Sequence, residues 1–143
     1  FVVWVLIQSS SEVIMSVVVI SIDEVIIRVQ TLDTRTAMSI MAACPIESTA
    51  IKWGEEIYFS TLVLVPREED SKSIVERGEV AYWPEGKAIA IGFGPTPISR
   101  EGEIRLASPC NIWGHALDDV GALGAGENGD RVVVQLMTLE HGM

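Results

Sequence analysis

Short apolar runs separated by turn residues dominate the chain, and most have the period of β-strands. Val17 to Ile22 is a run rich in β-branched residues, short enough for a strand buried on both faces. Asp23-Glu24 reads as a tight connection. Val25, Ile27 and Val29 then alternate with Ile26, Arg28 and Gln30, the pattern of a strand with one wet side. The two runs predict an antiparallel hairpin. The period changes next: Ala37, Ile40, Met41 and Cys44 fall on one helical face. N-cap candidates lie in Asp33-Thr34-Arg35-Thr36, and Pro45 ends the segment. This helix of roughly three turns is the one clear helix, with Met38 and Met41 expected as core packing.

Beyond Ala50 the pattern is mainly β. Trp53 to Phe59 and Leu62 to Val65 read as two strands or one bent one. Residues 66–72 form a charged loop whose Glu68-Glu69-Asp70 lacks the alternating ligands and central glycine of a calcium loop. Glu79 to Trp83 and Ala88 to Phe93 flank Pro84-Glu85-Gly86-Lys87 and predict a hairpin. In its second strand Ile89, Ile91 and Phe93 alternate with Ala88, Ala90 and Gly92. One face therefore fills a core, and a helix, a strand or a ligand approaches the other at close range. Two prolines make Phe93-Gly94-Pro95-Thr96-Pro97-Ile98-Ser99 a rigid loop. Pro109 to Gly114 reads as a strand, His115 to Val120 as a short helical turn, and 121–126 as a loose connection without a dinucleotide fingerprint. Asn128-Gly129 is a hairpin signal, and Arg131 to Met137 is the last strand. The tally of about eight strands, one clear helix and one short helix predicts a mainly β fold, a closed barrel or a sandwich.

Composition narrows the classes. The 143 residues suffice for one domain with its own core. Hydrophobic residues make up 48%, which suggests burial on several faces or a homo-oligomer. The net charge of −10 opposes binding to nucleic acid or to an anionic membrane, because no basic patch faces phosphates. No apolar run reaches membrane-spanning length, and no secretory pattern is present, so cytoplasmic residence is expected. The domain is expected over 15–138, with 1–14 an extension or an extra strand and 139–143 a tail. Cys44 and Cys110 stand apart and read as two lone thiols.

Seven of the nine aromatic residues lie between Trp53 and Trp113. Rings beside Gly and Pro turns, with adjacent carboxylates, suggest an apolar wall with polar tips. The ligand-binding candidates are Glu55, Tyr58, Tyr82, Trp83, Phe93, Thr96 and Trp113. Glu55 and Glu56 adjoin in a presumed strand and so point to opposite faces. One of them in a pocket would have a raised pKa suited to acid–base work or to binding an amine, while the other stays solvated. No metal or cofactor is expected: His115 and His141 have no ligand cluster around them, and no hydrolase elbow, phosphate loop or zinc helix is present.

Trp53-Gly54-Glu55-Glu56-Ile57-Tyr58-Phe59-Ser60-Thr61 resembles a family of small prokaryotic cyclophilin-like proteins of unassigned function. So do Gly78-Glu79-Val80-Ala81-Tyr82-Trp83-Pro84-Glu85-Gly86-Lys87-Ala88 and Phe93-Gly94-Pro95-Thr96-Pro97-Ile98-Ser99, with support from Thr36-Ala37, Pro45-Ile46-Glu47-Ser48-Thr49, Ala107-Ser108, Asn111-Ile112 and Gly114. The resemblance spans residues 16–137. It implies a closed, eight-stranded, mainly antiparallel cyclophilin-like barrel with helices covering its ends. It does not carry prolyl isomerase activity with it. Cyclophilins present a Phe-His-Arg segment and a Gln-Phe-Phe segment, whereas here Ala116 follows His115 and Gly142 follows His141. The expected function is the binding of a small molecule or extended peptide in an aromatic-lined cleft. The alternative is an enzyme, either a prolyl isomerase or one using a glutamate on a small substrate.

Overall fold

The computed structural model describes residues 16–137; the expectations for 1–14 and for the tail at 139–143 lie outside them. The first two runs form β1 (Val17–Ile22) and β2 (Val25–Thr31), an antiparallel hairpin that turns at Asp23, with φ 54°. Every second residue of β1 is buried and the rest are partly exposed, so this strand has one buried face, not the two its unbroken apolar run suggests. Helix α1 (Arg35–Ala43) is capped by Thr34, whose hydroxyl accepts the Ala37 N–H at 3.1 Å. Thr36, Ala37 and Ile40 face the core. Met41 packs against that core, but Met38 is 61% exposed, contrary to the packing expected of it.

After the helix come β3 (Ile46–Thr49), β4 (Ile51–Lys52), β5 (Glu56–Ser60) and β6 (Lys72–Val75). Then follow β7 (Glu79–Trp83), β8 (Ala88–Gly92), β9 (Ile104–Ala116) and β10 (Arg131–Leu136). The ladder runs β3-β10-β1-β2-β9-β7-β8-β5-β4, with antiparallel pairs throughout and β6 attached to β9 outside this path. Its two ends, β3 and β4, are separated in the chain by Ala50 alone. The sheet thus curls into a nearly closed barrel of nine strands. It differs from the eight expected because residues 62–65 form no strand while β3 and β4, on either side of Ala50, are two short strands not expected from the sequence. Ala50 holds the seam: its N–H donates to Asp130 O at 2.8 Å, and its carbonyl accepts the Gly129 N–H at 2.9 Å.

The barrel interior holds Ile20, Ile57, Phe59, Tyr82, Ile91 and Trp113, all fully buried. Tyr82 donates its hydroxyl to Val63 O, and Trp113 donates its indole N–H to Ala81 O at 3.2 Å. Each large ring therefore places its polar atom without a buried orphan.

Several local expectations shift. Residues 62–65 form no strand: Val63 and Val65 anchor in the core while Leu62 and Leu64 face outward. Val63 is held by side chains instead, its N–H donating to the Thr61 hydroxyl at 3.0 Å and its carbonyl accepting from Tyr82, and just beyond, Asn111 donates to Pro66 O and to the Thr36 hydroxyl at 3.0 Å each. Glu68 accepts the Thr36 hydroxyl at 2.6 Å, so the first acid of the charged loop is structural. The short helix is a 3-10 helix at Val120–Ala125, later than the expected 115–120, because β9 continues to Ala116. Asp119 caps it, and Lys52 Nζ binds the Gly124 and Gly126 carbonyls at 2.9 Å at its other end. Asn128-Gly129 turns from this helix into β10 and does not join two strands.

Candidate functional site

Trp53 to Glu56 is a tight hairpin, not the start of one long strand. Lys52 pairs with Ile57, and the Trp53 N–H donates to Glu56 O at 2.9 Å, which leaves Gly54-Glu55 as a two-residue loop. Gly54 has φ +60°, and a Cβ there would lie 2.8 Å from Pro97 Cδ and 2.9 Å from Thr96 Cα. The loop tip is thus pressed against the proline loop that follows β8. Glu55 joins them by backbone, since its N–H donates to Pro95 O and its carbonyl accepts from Phe93 N and Gly94 N. Its side chain is exposed.

Strand alternation now starts at Glu56. Ile57 and Phe59 enter the barrel, while Glu56 and Tyr58 lie on the outer face, opposite Gly92 and Ala90 of β8. On β7, Ala81 and Trp83 share that outer face. The small residues of β8 leave a trough, and the first half of β9 folds across it with β6 alongside. The crossing is close at one end, where a Cβ on Gly92 would lie 2.4 Å from Ile104 Cγ2. Further along the trough a cavity of about 100 Å³ remains, lined by Trp53, Glu56, Tyr58, Trp83, Ala90, Leu106, Ala107 and Cys110. Tyr58 and Trp83 meet edge to face in its wall, with ring centroids 6.2 Å apart.

Two polar atoms in this apolar setting have no hydrogen-bond partner among the described residues: Glu56 Oε1 and Trp83 Nε1. Glu56 is 5% exposed, and burial pushes its carboxyl up to about 7. Cys110 is also buried; desolvation, with the charges of Glu56 and Glu85 adding to it, pushes its thiol up to about 12. The cations nearby are committed elsewhere. Arg67 pairs with Glu85 at 2.6 Å, and Lys52 caps the 3-10 helix. No arginine lines the cavity among the described residues. No group of three His, Cys, Asp or Glu side chains among them is placed to hold a metal ion.

Of the seven candidates, the cavity brings together Tyr58 and Trp83. Tyr82, Phe93 and Trp113 are barrel core. Thr96 is buried, and its hydroxyl binds Arg105 O and pins the proline loop to β9. Glu55 lies at the hairpin tip, and the carboxylate in the cavity is that of its neighbour, Glu56. Trp53, Ala90, Leu106, Ala107 and Cys110 are further lining residues. The run of alternating tiny residues in β8 was the signal for this face. Pairing it with β5 required a register that sequence alone does not supply.

The nearly closed barrel with a covered trough on its outer wall matches the model of the cyclophilin-like family over residues 16–135, and the chain belongs to that family. Among solved structures it is similar to a hypothetical protein of Archaeoglobus fulgidus determined in solution. The two are 38% identical with a TM-score of 0.76, over 90% of this chain and 100% of that one. No curated protein matches the chain. No helix among the described residues is long and apolar enough to cross a membrane.

Proposed function

We propose that the protein is a binding module for a small molecule, held in the outer-wall cavity between β5, β7, β8 and β9. The observation that carries this reading is the Glu56 carboxyl, buried in an apolar pocket with an oxygen left unpartnered. Leaving a buried polar group without a partner costs folding free energy, on the order of 1–3 kcal/mol. A native fold that retains such a group is best explained by a ligand that completes it. Size supports a small ligand or the head group of a larger one. A cavity of ~150 Å³ admits benzene, so one of about 100 Å³ takes a handful of heavy atoms.

The test is a fragment screen read by NMR at the Trp83 indole N–H. Fragments that shift this resonance in the wild type and not in Ala107→Leu, which narrows the cavity at an exposed rim position, support the reading. A library that never moves the Trp83 signal rejects it.

A second reading has a specific observation behind it. A carboxyl near 7 suits general acid–base catalysis at neutral pH. Glu56 would then move a proton on a small bound substrate. Turnover unchanged by Glu56→Gln on any substrate found would remove this reading. Prolyl isomerisation draws no such support, because no positively charged donor among the described residues lines the cavity to stabilise a twisting amide.

A further inference from the structure

We propose that the cavity takes a small primary ammonium group bearing a hydrogen-bond acceptor nearby, as in a short amino alcohol. The inference rests on the binding reading above and names its ligand class. Three observations converge on it. Glu56 Oε1 is an acceptor without a donor, on a side chain 95% buried and lining the cavity. Trp53, Tyr58 and Trp83 supply aromatic walls, whose ring faces carry the negative end of a quadrupole and attract cations. The lining contributes no cation of its own, since the nearby Arg67 is paired with Glu85 and the Lys52 ammonium with two carbonyls. An ammonium N–H would complete the carboxylate. A quaternary ammonium would satisfy the rings but offer Glu56 no hydrogen. The second orphan sets the second requirement: Trp83 Nε1–H is a donor without an acceptor, so the ligand carries a hydroxyl or carbonyl close to its nitrogen. The cavity volume limits the buried part to a few heavy atoms. The net charge of −10 raises the local concentration of cations and favours their approach.

Proton linkage gives the proposal a pH signature. The Cys110 thiol on β9 lines the cavity with Glu56 and feels its charge, together with those of Glu85 and Arg67, which pair with each other. The thiol, pushed up to about 12, stays protonated across neutral pH, which leaves Glu56 as the titrating group of the cavity lining. An ammonium prefers its carboxylate form. Below about 7 binding must displace a proton, and affinity falls roughly tenfold per pH unit. Above 7 it levels off until the amine itself deprotonates, at ~10 for alkyl amines.

The experiment titrates ethanolamine, ethylamine, 1-propanol and tetramethylammonium into the full chain, read at the Trp83 indole N–H by NMR and repeated at pH 6 and pH 8. Ethanolamine is expected to bind best and to gain about tenfold from pH 6 to pH 8. Glu56→Gln is expected to lose at least about tenfold at pH 8 and to abolish the pH dependence. Trp83→Phe, followed by the Tyr58 ring signals, is expected to reduce the preference for ethanolamine over ethylamine. Propanol binding as well as ethanolamine at pH 8 overturns the ammonium class but leaves a binding cavity. Tetramethylammonium binding better than ethanolamine overturns the hydrogen-bond assignment. Silence from all four probes, with the fragment screen also silent, overturns this inference and the binding reading together.

Discussion

Burying the Glu56 carboxyl couples its proton to folding. Its folded pKa of about 7 lies above the ordinary value of 4.5, so the folded state holds the proton more tightly than the unfolded chain. Stability from this group is complete below about 4.5 and is lost as pH rises through 7. Glu56→Gln removes the dependence. The stability of the variant minus that of the wild type is expected to grow by on the order of 3 kcal/mol between pH 4.5 and 7, then to stay flat. Urea unfolding of both proteins across this range checks it, and a difference independent of pH rejects a buried, unpaired carboxyl. Other shifted carboxyls, such as Asp118 at about 2 beside Arg28, are common to both proteins and cancel in the difference. The cysteines make a second residue-scale test. Cys44 is partly exposed, whereas the Cys110 thiol is buried and pushed up to about 12. Iodoacetamide at neutral pH is expected to label Cys44 first and to reach Cys110 only on unfolding, as read by mass spectrometry. Residue chemistry was partly legible in the sequence. Alternation said that one of two adjacent glutamates goes in and the other out. Which one depended on the hairpin loop at Gly54-Glu55, which sets the phase of β5 and which no periodicity announces.

At the scale of elements, β8 is the strand on which the cavity depends. It is buried on both faces, with Ile89 and Ile91 in the barrel and Ala88, Ala90 and Gly92 beneath the covering layer. Its pattern of large and tiny residues was readable in advance and implied a close neighbour. That neighbour is the first half of β9, and the cavity is the gap the strand does not fill. The fit makes Gly92→Ala costly: the new methyl meets the β-branched Ile104, which cannot swing aside, and the expected loss is about 1–3 kcal/mol. Gly94→Ala is the contrast. Its methyl would meet the exposed Glu55 carboxylate, a flexible side chain free to move, and the expected loss is under about 1 kcal/mol. Thermal unfolding of both variants checks the order, and equal losses would remove the argument that β9 is seated on β8 at this point. The elements that sequence reading missed share a cause. Ile46–Thr49 and Lys72–Val75 are strands of four residues, held by ladder bonds to β10 and β9 more than by their own apolar pattern. Conversely, Leu62 to Val65 has a strand's composition but finds no partner strand among the described residues; the Tyr82 and Thr61 hydroxyls hold Val63, and Asn111 holds the Pro66 carbonyl just beyond.

At the scale of the molecule, near-closure of the barrel limits the strand edges left open among the described residues. An open sheet with strands as β-branched as β1, β2 and β10 would present edges for aggregation. Here the ladder returns to its start across Ala50, and β1, though first in the described order, lies inside the path between β10 and β2. The seam and both of its flanking strands lie within residues 16–137. Thr31 donates from its backbone N–H and its hydroxyl to Ser16 O at 2.9 and 3.0 Å, so the bonding of the β1–β2 hairpin extends to that residue. A chain starting at Met15 and ending at Thr138 is therefore expected to fold cooperatively, with the far-ultraviolet circular dichroism of the full chain and a melting temperature within a few degrees of it. The physical ground is that such a chain keeps every ladder bond among the described residues, whereas cutting into β1 would open the barrel between β10 and β2. A second fragment starting at Asp23 tests that half of the argument and is expected not to fold, since it lacks the strand that joins β10 to β2. If the Met15 fragment is unfolded or aggregates while the full chain is stable, residues 1–14 are part of the domain, and a boundary near Met15 is wrong.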